Sequence, residues 1–598
     1  MQITKIEIKN FRNHKDTEIN LTENSVLVGK NNTGKTSILE ALRFALDRSG
    51  RKRPVEDDFY TTEVFEAKTI QPIDIKLEFK ETNTNRFSSN ILDDFQGIWQ
   101  YDETTNNEEP LRYIKLVYTC KYNAKSKETE IDKYFVNNEN KKIEKLQVNK
   151  LRLSYFPFFY LDSLRDITKQ INYKSSFWGE LKKDIEYDDE TRKKLQKEID
   201  KINDLLLSHK NIDKLKTELS LLQKNINQST GELYLQAFSK RNWELLDQLD
   251  IFIKNSNSNL GLPVSKHGSG TQNIATFLIF KAYINLLLPN IVDNQEAYPI
   301  IAIEEPEAHI HPQAQRELFD EIKKLNGQKI ITTHSPFIAE QTKIYDYILL
   351  RNEGGVAKAR KIPEFKKYLR GGLPPEAYEK NKTLTDREEH QIKRYALYKN
   401  SELFFSNLFI LCEGDSERIF LEQIIPYHTG KTSGRLGISV ISCDGKNYSA
   451  FLKIAKILKM NWLILSDGET ETKQEIKNQV NNSGFNYEEA ELDITFLPDG
   501  SDFEKYYIDF YGTETIENFI KLSFKENTFE KFISKFKSNL PDSDVFENYS
   551  TKDLFNKFID KRGKPRMAEK LAQYIVEKEL LVPEKIKLII QNAVEKTK

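Results

Sequence analysis

A multidomain α/β chain is what this sequence predicts, and three observations predict it. A glycine-rich segment, Gly29-Lys30-Asn31-Asn32-Thr33-Gly34-Lys35-Thr36, stands between an apolar strand and a helical pattern. Acids close apolar strands in two distant places, Glu304-Glu305 in one and Glu413 with Asp467 in the other. A charged stretch of helical heptads interrupts the first of these units. At 598 residues the chain exceeds what one hydrophobic core supports, so roughly two to four domains are expected.

The elements follow in order. Ile3, Ile6 and Ile8, then Ile19 and Leu21, read as short strands. Val26-Leu27-Val28 is a buried strand that feeds the glycine loop, and Ser37 to Leu46 continues as a helix with Ile38, Leu42 and Ala45 on one face. Strands are expected at Ile73 to Phe79 and Tyr113 to Tyr118. Leu195, Ile199, Ile202 and Leu206 then step at helical spacing, as do Ile212, Leu215, Leu219, Leu222 and Ile226. Two short amphipathic seams of this kind need a surface to cover them. They are either helices packed on their own domain or an insert that pairs subunits. Ile300 to Ile303 and Gln328 to Thr333 read as strands flanking a helix, a parallel unit. A charged, turn-rich boundary at 351–400 contains Arg370-Gly371-Gly372-Leu373-Pro374-Pro375. Leu408 to Cys412 and Trp462 to Leu465 are buried strands of a second α/β unit, and the chain is helical from about Met567.

The glycine loop carries the first chemistry. Glycines let backbone N–H groups curl around phosphate oxygens, and the helix start adds a favourable dipole. Lys35 reaches the outer phosphates of a nucleoside triphosphate, and Thr36 is placed to bind Mg²⁺. Gly29, Asn32, Gly34, Lys35, Thr36 and Ser37 are the candidate nucleotide contacts. Downstream, Ile303 leads into Glu304-Glu305-Pro306-Glu307-Ala308-His309-Ile310-His311-Pro312. One of the adjacent acids can hold the metal and the other can polarise water, two tasks that phosphoryl transfer assigns to separate groups. His334, in Thr333-His334-Ser335-Pro336, is placed to sense the terminal phosphate. His309 and His311 lack the further ligands a zinc site needs. These motifs resemble the ATP-binding-cassette ATPases, in the branch of chromosome-maintenance and recombination proteins. The resemblance implies ATP as ligand, Glu304 at the metal, Glu305 as catalytic base and His334 as switch histidine. It also implies that Ser269 and Gly270 begin a signature loop completing the site of a second subunit. This chain has Thr271 where glycine is common.

The second acidic series points to divalent metal. Glu413 ends one apolar strand, and Glu417 lies one helical turn further on. Asp467 and Glu469 end another strand, and residues two apart in a strand share a face. Carboxylates gathered this closely repel one another unless cations neutralise them, and a pair of Mg²⁺ or Mn²⁺ ions would do so. The arrangement resembles the TOPRIM fold of topoisomerases, primases and some nucleases, with Glu469 where that family carries Asp. Asp499, Asp502 and Glu504 offer more acids, and Lys561-Arg562-Gly563-Lys564-Pro565-Arg566 offers cations.

In motif order nearly the whole chain resembles the OLD (overcoming lysogenization defect) family, and Phe404-Phe405 before the first TOPRIM strand fits it. The resemblance implies an ABC-type P-loop ATPase with a helical dimerisation insert, followed by a TOPRIM nuclease domain. The boundaries are then 1–175 and 231–350 for the ATPase, 176–230 for the insert, 351–400 for a linker and 401–598 for the nuclease. It implies Asp502 or Glu504 as a metal ligand and Lys564 as stabiliser of the transition-state phosphate. It further implies a homo-oligomer (a dimer or dimer of dimers), a role in genome defence against phage, and a UvrD-like helicase as partner in one branch.

The expected function is cleavage of double-stranded DNA, dependent on divalent metal and gated by ATP in a direction the sequence does not give. Net charge is −1 and pI about 6.8, so any nucleic-acid surface is a local patch. The three scattered cysteines suit a reducing cytoplasm. No segment approaches the roughly 20 apolar residues of a membrane helix, and the charged start does not read as a signal peptide. Two other readings stand beside the first. One is a non-cleaving ATP-driven DNA clamp or repair sensor. The other is a topoisomerase, for which 27 tyrosines leave a nucleophile open.

Overall fold

A computed structural model of the chain describes residues 1–48, 52–61, 70–83, 85–102, 110–123, 126–162, 187–208, 251–253, 261–291, 298–363, 384–394, 401–443, 445–524, 531, 534 and 551–597. The N-terminal half holds two sheets. The first is antiparallel, in the order His14–Asn20, Gln2–Phe11, Ile73–Lys80, Arg112–Asn123, Glu128–Val136 and Lys142–Gln147, with Gln100–Tyr101 also paired to Arg112–Asn123. Ile3 and Ile6 are three apart, which strict alternation would send to opposite faces. A bulge where the register shifts between Ile3 and Lys5 brings both to the buried face.

The second sheet runs Val356–Lys361, Tyr347–Glu353, Asn24–Val28, Gln328–Thr333, Ile300–Glu304 and Phe158–Leu161. Its strands are parallel except for the edge strand Val356–Lys361. That hairpin carries the ATPase sheet to Lys361, past the boundary expected at 350. The helix Lys35–Leu46 was expected to bury one face. It is sandwiched between the two sheets, and Ile38, Leu39, Ala41, Leu42, Ala45 and Leu46 are all buried.

The C-terminal unit is built on four parallel strands in the order Ile438–Ser442, Leu408–Cys412, Asn461–Ser466, Ile494–Phe496. Both faces are covered, which is why the strands read as continuous apolar runs rather than alternating ones. On one face Phe409, Leu411, Ile441 and Ile464 join a core that continues without a break into the ATPase sheet through Val28, Ile303, Leu349 and Phe404. On the other face Ile410, Val440 and Leu465 pack under Phe420, Phe503, Met567 and Leu571. The two units therefore share a hydrophobic core and are not beads on a linker. The short helix Asp386–Ile392 packs on the C-terminal unit: Lys453 pairs with its Glu388 at 2.7 Å and Gln391 donates to Cys443 O at 3.3 Å.

Of the heptad stretch, Asp189–Leu207 is one 19-residue helix that buries Ile199 and exposes Leu195, Ile202 and Leu205. The helix expected over 212–226 lies outside the described residues. Cys120, Cys412 and Cys443 are buried free thiols. No helix among the described residues is long and apolar enough to cross a membrane.

Candidate active sites and the seam between them

The strand Asn24–Val28 is central in its sheet and ends at Gly29. Gly29 has φ +155°, and a Cβ there would stand 2.4 Å from Leu350 O; Gly34 has φ +94°, and a Cβ there would stand 2.4 Å from His14 Nε2. Only glycine fits either place. Asn32 takes the left-handed conformation that asparagine tolerates best among side-chain residues. The loop borders a cavity of about 500 Å³ lined by Arg12, Asn13, the 31–37 segment, Glu305 and His334. Lys35 donates to Gly29 O at 2.8 Å and Lys30 O at 2.9 Å. Burial pulls its ammonium down to about 8, against the pull of Glu305, Glu307 and Glu304.

The acids expected to serve phosphoryl transfer arrive here. Thr36 Oγ1 donates directly to Glu304 Oε1, so the loop hydroxyl and the strand-end carboxylate meet where Mg²⁺ would be shared. Tyr160, from the neighbouring strand, holds the other oxygen of Glu304 at 2.8 Å. Glu305 has φ +43°, an uncommon conformation for a side-chain residue, fixed by its N–H donating to Thr332 O at 3.0 Å. Its carboxylate lies 3.7 Å from His334 Nε2. Burial and nearby Lys35 lower the His334 pKa, opposed by Glu305. The 333–335 turn is clamped by Glu307, whose Oε1 accepts from Thr333 Oγ1 (2.8 Å), His334 N (2.6 Å) and Ser335 N (3.1 Å). Ser269 and Gly270 open the helix Ser269–Ile291 away from this cavity, and a Cβ on Gly270 would stand 2.9 Å from His309 O.

The second group of acids gathers at the C-terminal edge of the four-stranded sheet. The chain leaves Leu408–Cys412 for one side and later returns to the other, so Glu413 sits at the switch point where such sheets form crevices. Glu413 Oε1 accepts from Ser466 Oγ at 2.6 Å and from Asp467 N at 3.3 Å. Glu417 folds back on its own helix start and accepts from Gly414 N at 3.0 Å. Burial raises Glu417, with Glu413 and Glu504 adding to it. Asp467 is pushed up to about 7 by burial and by the fields of Glu413, Glu417, Asp502 and Glu504.

Asp502 and Glu504 arrive on a loop laced to Gly468. Gly468 N donates to Ser501 O at 3.0 Å and Gly500 N to Gly468 O at 3.2 Å. Asp502 is exposed and caps the following helix by accepting from Lys505 N at 2.7 Å. Glu504 is buried and pairs with Lys564 Nζ at 3.0 Å. Glu469, expected beside Asp467, is placed elsewhere. The strand stops at Ser466, so strand alternation no longer applies, and Glu469 faces Lys446 at 3.3 Å as the residue preceding the helix Thr470–Asn482.

As these side chains stand, no three acids, histidines or cysteines among the described residues are grouped closely enough to hold a metal ion. The donor chemistry nevertheless suits one. Asp467 stands among four like charges that raise its pKa, an arrangement that a divalent cation relieves.

The nucleotide cavity meets the C-terminal unit at the N-terminal ends of its strands, the edge opposite the acids. A cavity of about 520 Å³ is lined by Lys30, Asn31 and His334 from the N-terminal unit and by Phe405, Ser406, Gly437 and Ser439 from the C-terminal unit. His334 and Phe405 stack, Tyr347 and Phe404 stack with centroids 4.6 Å apart, and Arg351 donates to Ser406 O at 2.8 Å. Sequence reasoning missed Arg12, Asn13, Tyr160, Lys446 and the contact of Phe405. Each acts through a neighbour distant in the chain.

Residues 1–339 match the AAA ATPase domain family, and residues 404–468 match the TOPRIM domain of overcoming lysogenization defect protein-like sequences. The chain is 23% identical to Endonuclease GajA of Bacillus cereus (strain HuB5-5), over 90% of this chain and 87% of that one. It is 23% identical to the OLD nuclease of Thermus scotoductus (strain ATCC 700910 / SA-01), covering 80% and 86%. It is also 23% identical to the Old nuclease of Escherichia phage P2, covering 77% and 75%.

Proposed function

The chain belongs to the OLD family, an AAA ATPase domain joined to an OLD-like TOPRIM domain, and is a DNA endonuclease; from that premise we propose that its cleavage depends on divalent metal and is regulated by nucleotide. The observation that carries the regulation is the seam. His334, at the phosphate end of the nucleotide cavity, stacks on Phe405, which stands just before the strand that ends in Glu413. A shift of His334 on nucleotide binding is transmitted to that strand through a packed core.

In the nuclease site Glu413, Glu417, Asp467 and one of Asp502 or Glu504 would hold Mg²⁺ or Mn²⁺. Such ions, when bound, neutralise charge developing on the phosphodiester and lower the pKa of attacking water. Ser466 orients Glu413. Lys564 exchanges Glu504 for a strand phosphate, which places its charge on the transition state. In the ATPase, Lys35, Thr36 and Glu304 would hold the triphosphate and its Mg²⁺, and Glu305 would polarise the attacking water. Exposed Ser269 and half-buried Gly270 complete the site of a second subunit, in keeping with a homo-oligomer. By the family resemblance of its motif order, a role against phage in the cytoplasm and a UvrD-like helicase as a further partner are proposed with it.

Plasmid cleavage tests this reading. The wild type is incubated with Mg²⁺ or Mn²⁺, with and without ATP, beside Glu413→Ala and Lys35→Ala. Expected are metal-dependent cuts by the wild type, none by Glu413→Ala, and a Lys35→Ala enzyme whose cutting ignores ATP. A wild type that cuts equally in chelator, or a Lys35→Ala enzyme that still responds to ATP, refutes it. Relaxed, religated circles would instead indicate a topoisomerase.

A further inference from the structure

Lys446 was not singled out by any motif, yet hydrogen bonds tie its loop to the segment that carries the acids. Cys443 N donates to Cys412 O at 2.9 Å, and Gly445 N donates to Glu413 O at 2.8 Å. Gly445 takes φ +79°, a turn that glycine permits. Gln479 accepts from Tyr448 N at 2.8 Å and from Ser449 N at 3.1 Å, while its amide donates to Lys446 O. The backbone on both sides of Lys446 is thus fixed, one side to the main chain of Glu413 itself.

The side chain is fixed as well. Lys446 Nζ bonds Thr472 Oγ1 and lies 3.3 Å from Glu469 Oε2, and Thr472 in turn lies 3.3 Å from the same Glu469 oxygen. Thr472 is fully buried, so the ammonium is held from a rigid wall. Burial works against its charge, but Glu413, Glu469 and Asp467 together outweigh it and the ammonium stays firmly protonated.

Its position complements that of Lys564. The helix Thr470–Asn482 that carries Thr472 packs Ile476 and Val480 on the face of the sheet shared with the ATPase. The helix Lys564–Glu577 packs Met567 and Leu571 on the opposite face. The two lysines therefore approach the acid group from opposite faces of the sheet, each pre-positioned by a glutamate, Glu469 for one and Glu504 for the other. A DNA strand crossing the strand ends meets one fixed cation on each side of the acids.

We propose that Lys446 is a substrate-contacting residue of the nuclease site, binding a backbone phosphate of the DNA strand, with Glu469 acting as its positioning partner and not as a metal ligand. The proposal rests on the nuclease reading above. A cation on a phosphate contributes affinity that weakens with salt. Acids at the metal contribute to the chemical step instead.

The test compares wild type, Lys446→Gln, Lys446→Arg, Glu469→Gln and Glu413→Ala in Mn²⁺ over a series of salt concentrations. For Lys446→Gln the loss is expected mainly in KM for DNA, which rises about tenfold, the worth of one phosphate contact in counterion-release terms. The slope of log KM against log salt becomes shallower by about one. Lys446→Arg restores most of both, because charge rather than shape is what a single phosphate reads. Glu469→Gln shifts KM in the same direction and keeps its dependence on Mn²⁺ concentration. Wild-type KM and salt slope in Lys446→Gln overturn the proposal while wild-type cutting and a dead Glu413→Ala leave the nuclease reading intact. A Glu469→Gln enzyme that needs far more Mn²⁺ returns Glu469 to the metal and also overturns it. If the wild type does not cut, DNA binding by fluorescence anisotropy in Ca²⁺ reads the same salt slope, and an unchanged slope in Lys446→Gln counts against the proposal. Melting curves of each variant confirm folding, and Glu469→Gln supplies the readout should Lys446→Gln fail to fold: a wild-type KM there overturns the proposal.

Discussion

The imidazole of His334 and the ring of Phe405 stack with centroids 6.4 Å apart and planes 26° from parallel. One residue faces the nucleotide cavity and the other precedes the first strand of the nuclease sheet. Phe405→Ala is therefore expected to uncouple the sites. Cleavage in Mn²⁺ alone is retained and nucleotide affinity changes by less than about threefold, a few tenths of a kcal/mol. The effect of ATP on cleavage disappears. Plasmid nicking and fluorescent-nucleotide titration of the same preparation check it; an intact ATP response excludes this contact as the route.

Asp467 gives a pH prediction with a definite sign. Its folded pKa, about 7, lies above that of an exposed aspartate, so the folded protein binds the proton more tightly than the unfolded chain does. Its contribution to stability is full at low pH and is lost as pH rises toward and through 7. Asp467→Asn is expected to raise the metal-free melting temperature at pH 8 by ~2–8 °C, corresponding to about 1–2 kcal/mol after discounting for solvent screening. It also removes the stabilisation that Mn²⁺ gives the wild type. Differential scanning fluorimetry with and without chelator reads both.

His14 carries the opposite sign. It is buried under the glycine loop, with Nε2 donating to Gly34 O at 3.1 Å and Nδ1 3.0 Å from Thr17 Oγ1. Burial, helped by Arg12, lowers its pKa to about 4, although its bond to Gly34 resists. The unfolded chain takes up the proton first, so stability is present above the ordinary histidine range and is lost as pH falls from about 6.5 toward 4. The loss is up to about 3 kcal/mol. His14→Gln, whose amide can still reach Gly34 O, is expected to show a smaller drop in melting temperature between pH 7.5 and 5. Equal drops in both proteins would contradict it.

Gly468 is a steric prediction. A Cβ there would stand 2.1 Å from Pro498 O and 2.4 Å from Leu497 O, both main-chain atoms with little freedom to move. Gly468→Ala displaces the loop that brings Asp502 and Glu504 to the acids, at a cost of about 1–3 kcal/mol. Cleavage is expected to fall at least tenfold while ATP binding is unchanged, measured on one preparation.

What the sequence made legible was local. The glycine loop, Glu304 and Glu413 were readable because strand, turn and helix follow one another within a few residues, and the chemistry sits at the junction. Where Glu469 points was not readable for the same reason: alternation holds only within a strand, this one ends at Ser466, and the carboxylate faces Lys446. Glu307 sat in a recognised motif, yet its task of holding three donors of the 333–335 turn depends on the next strand. Arg12, Tyr160 and Lys446 depend on contacts between distant segments, which no periodicity encodes. The continuous core under both units was invisible too, because apolar strands look alike whichever sheet they join.

Gln328 has a consequence for how the chain is made. Its side chain accepts from Ile3 N at 2.8 Å and donates to Ile3 O at 2.7 Å and Thr22 O at 3.0 Å, and its strand pairs with Asn24–Val28. These early strands thus wait for a partner 325 residues downstream. At about 5–20 residues per second that delay is on the order of tens of seconds. Throughout it Asn24–Val28, apolar and destined for the middle of a parallel sheet, lacks both of its neighbours. Pairing over such a separation is the long-range kind that slows folding and leaves nascent strand edges open to aggregation.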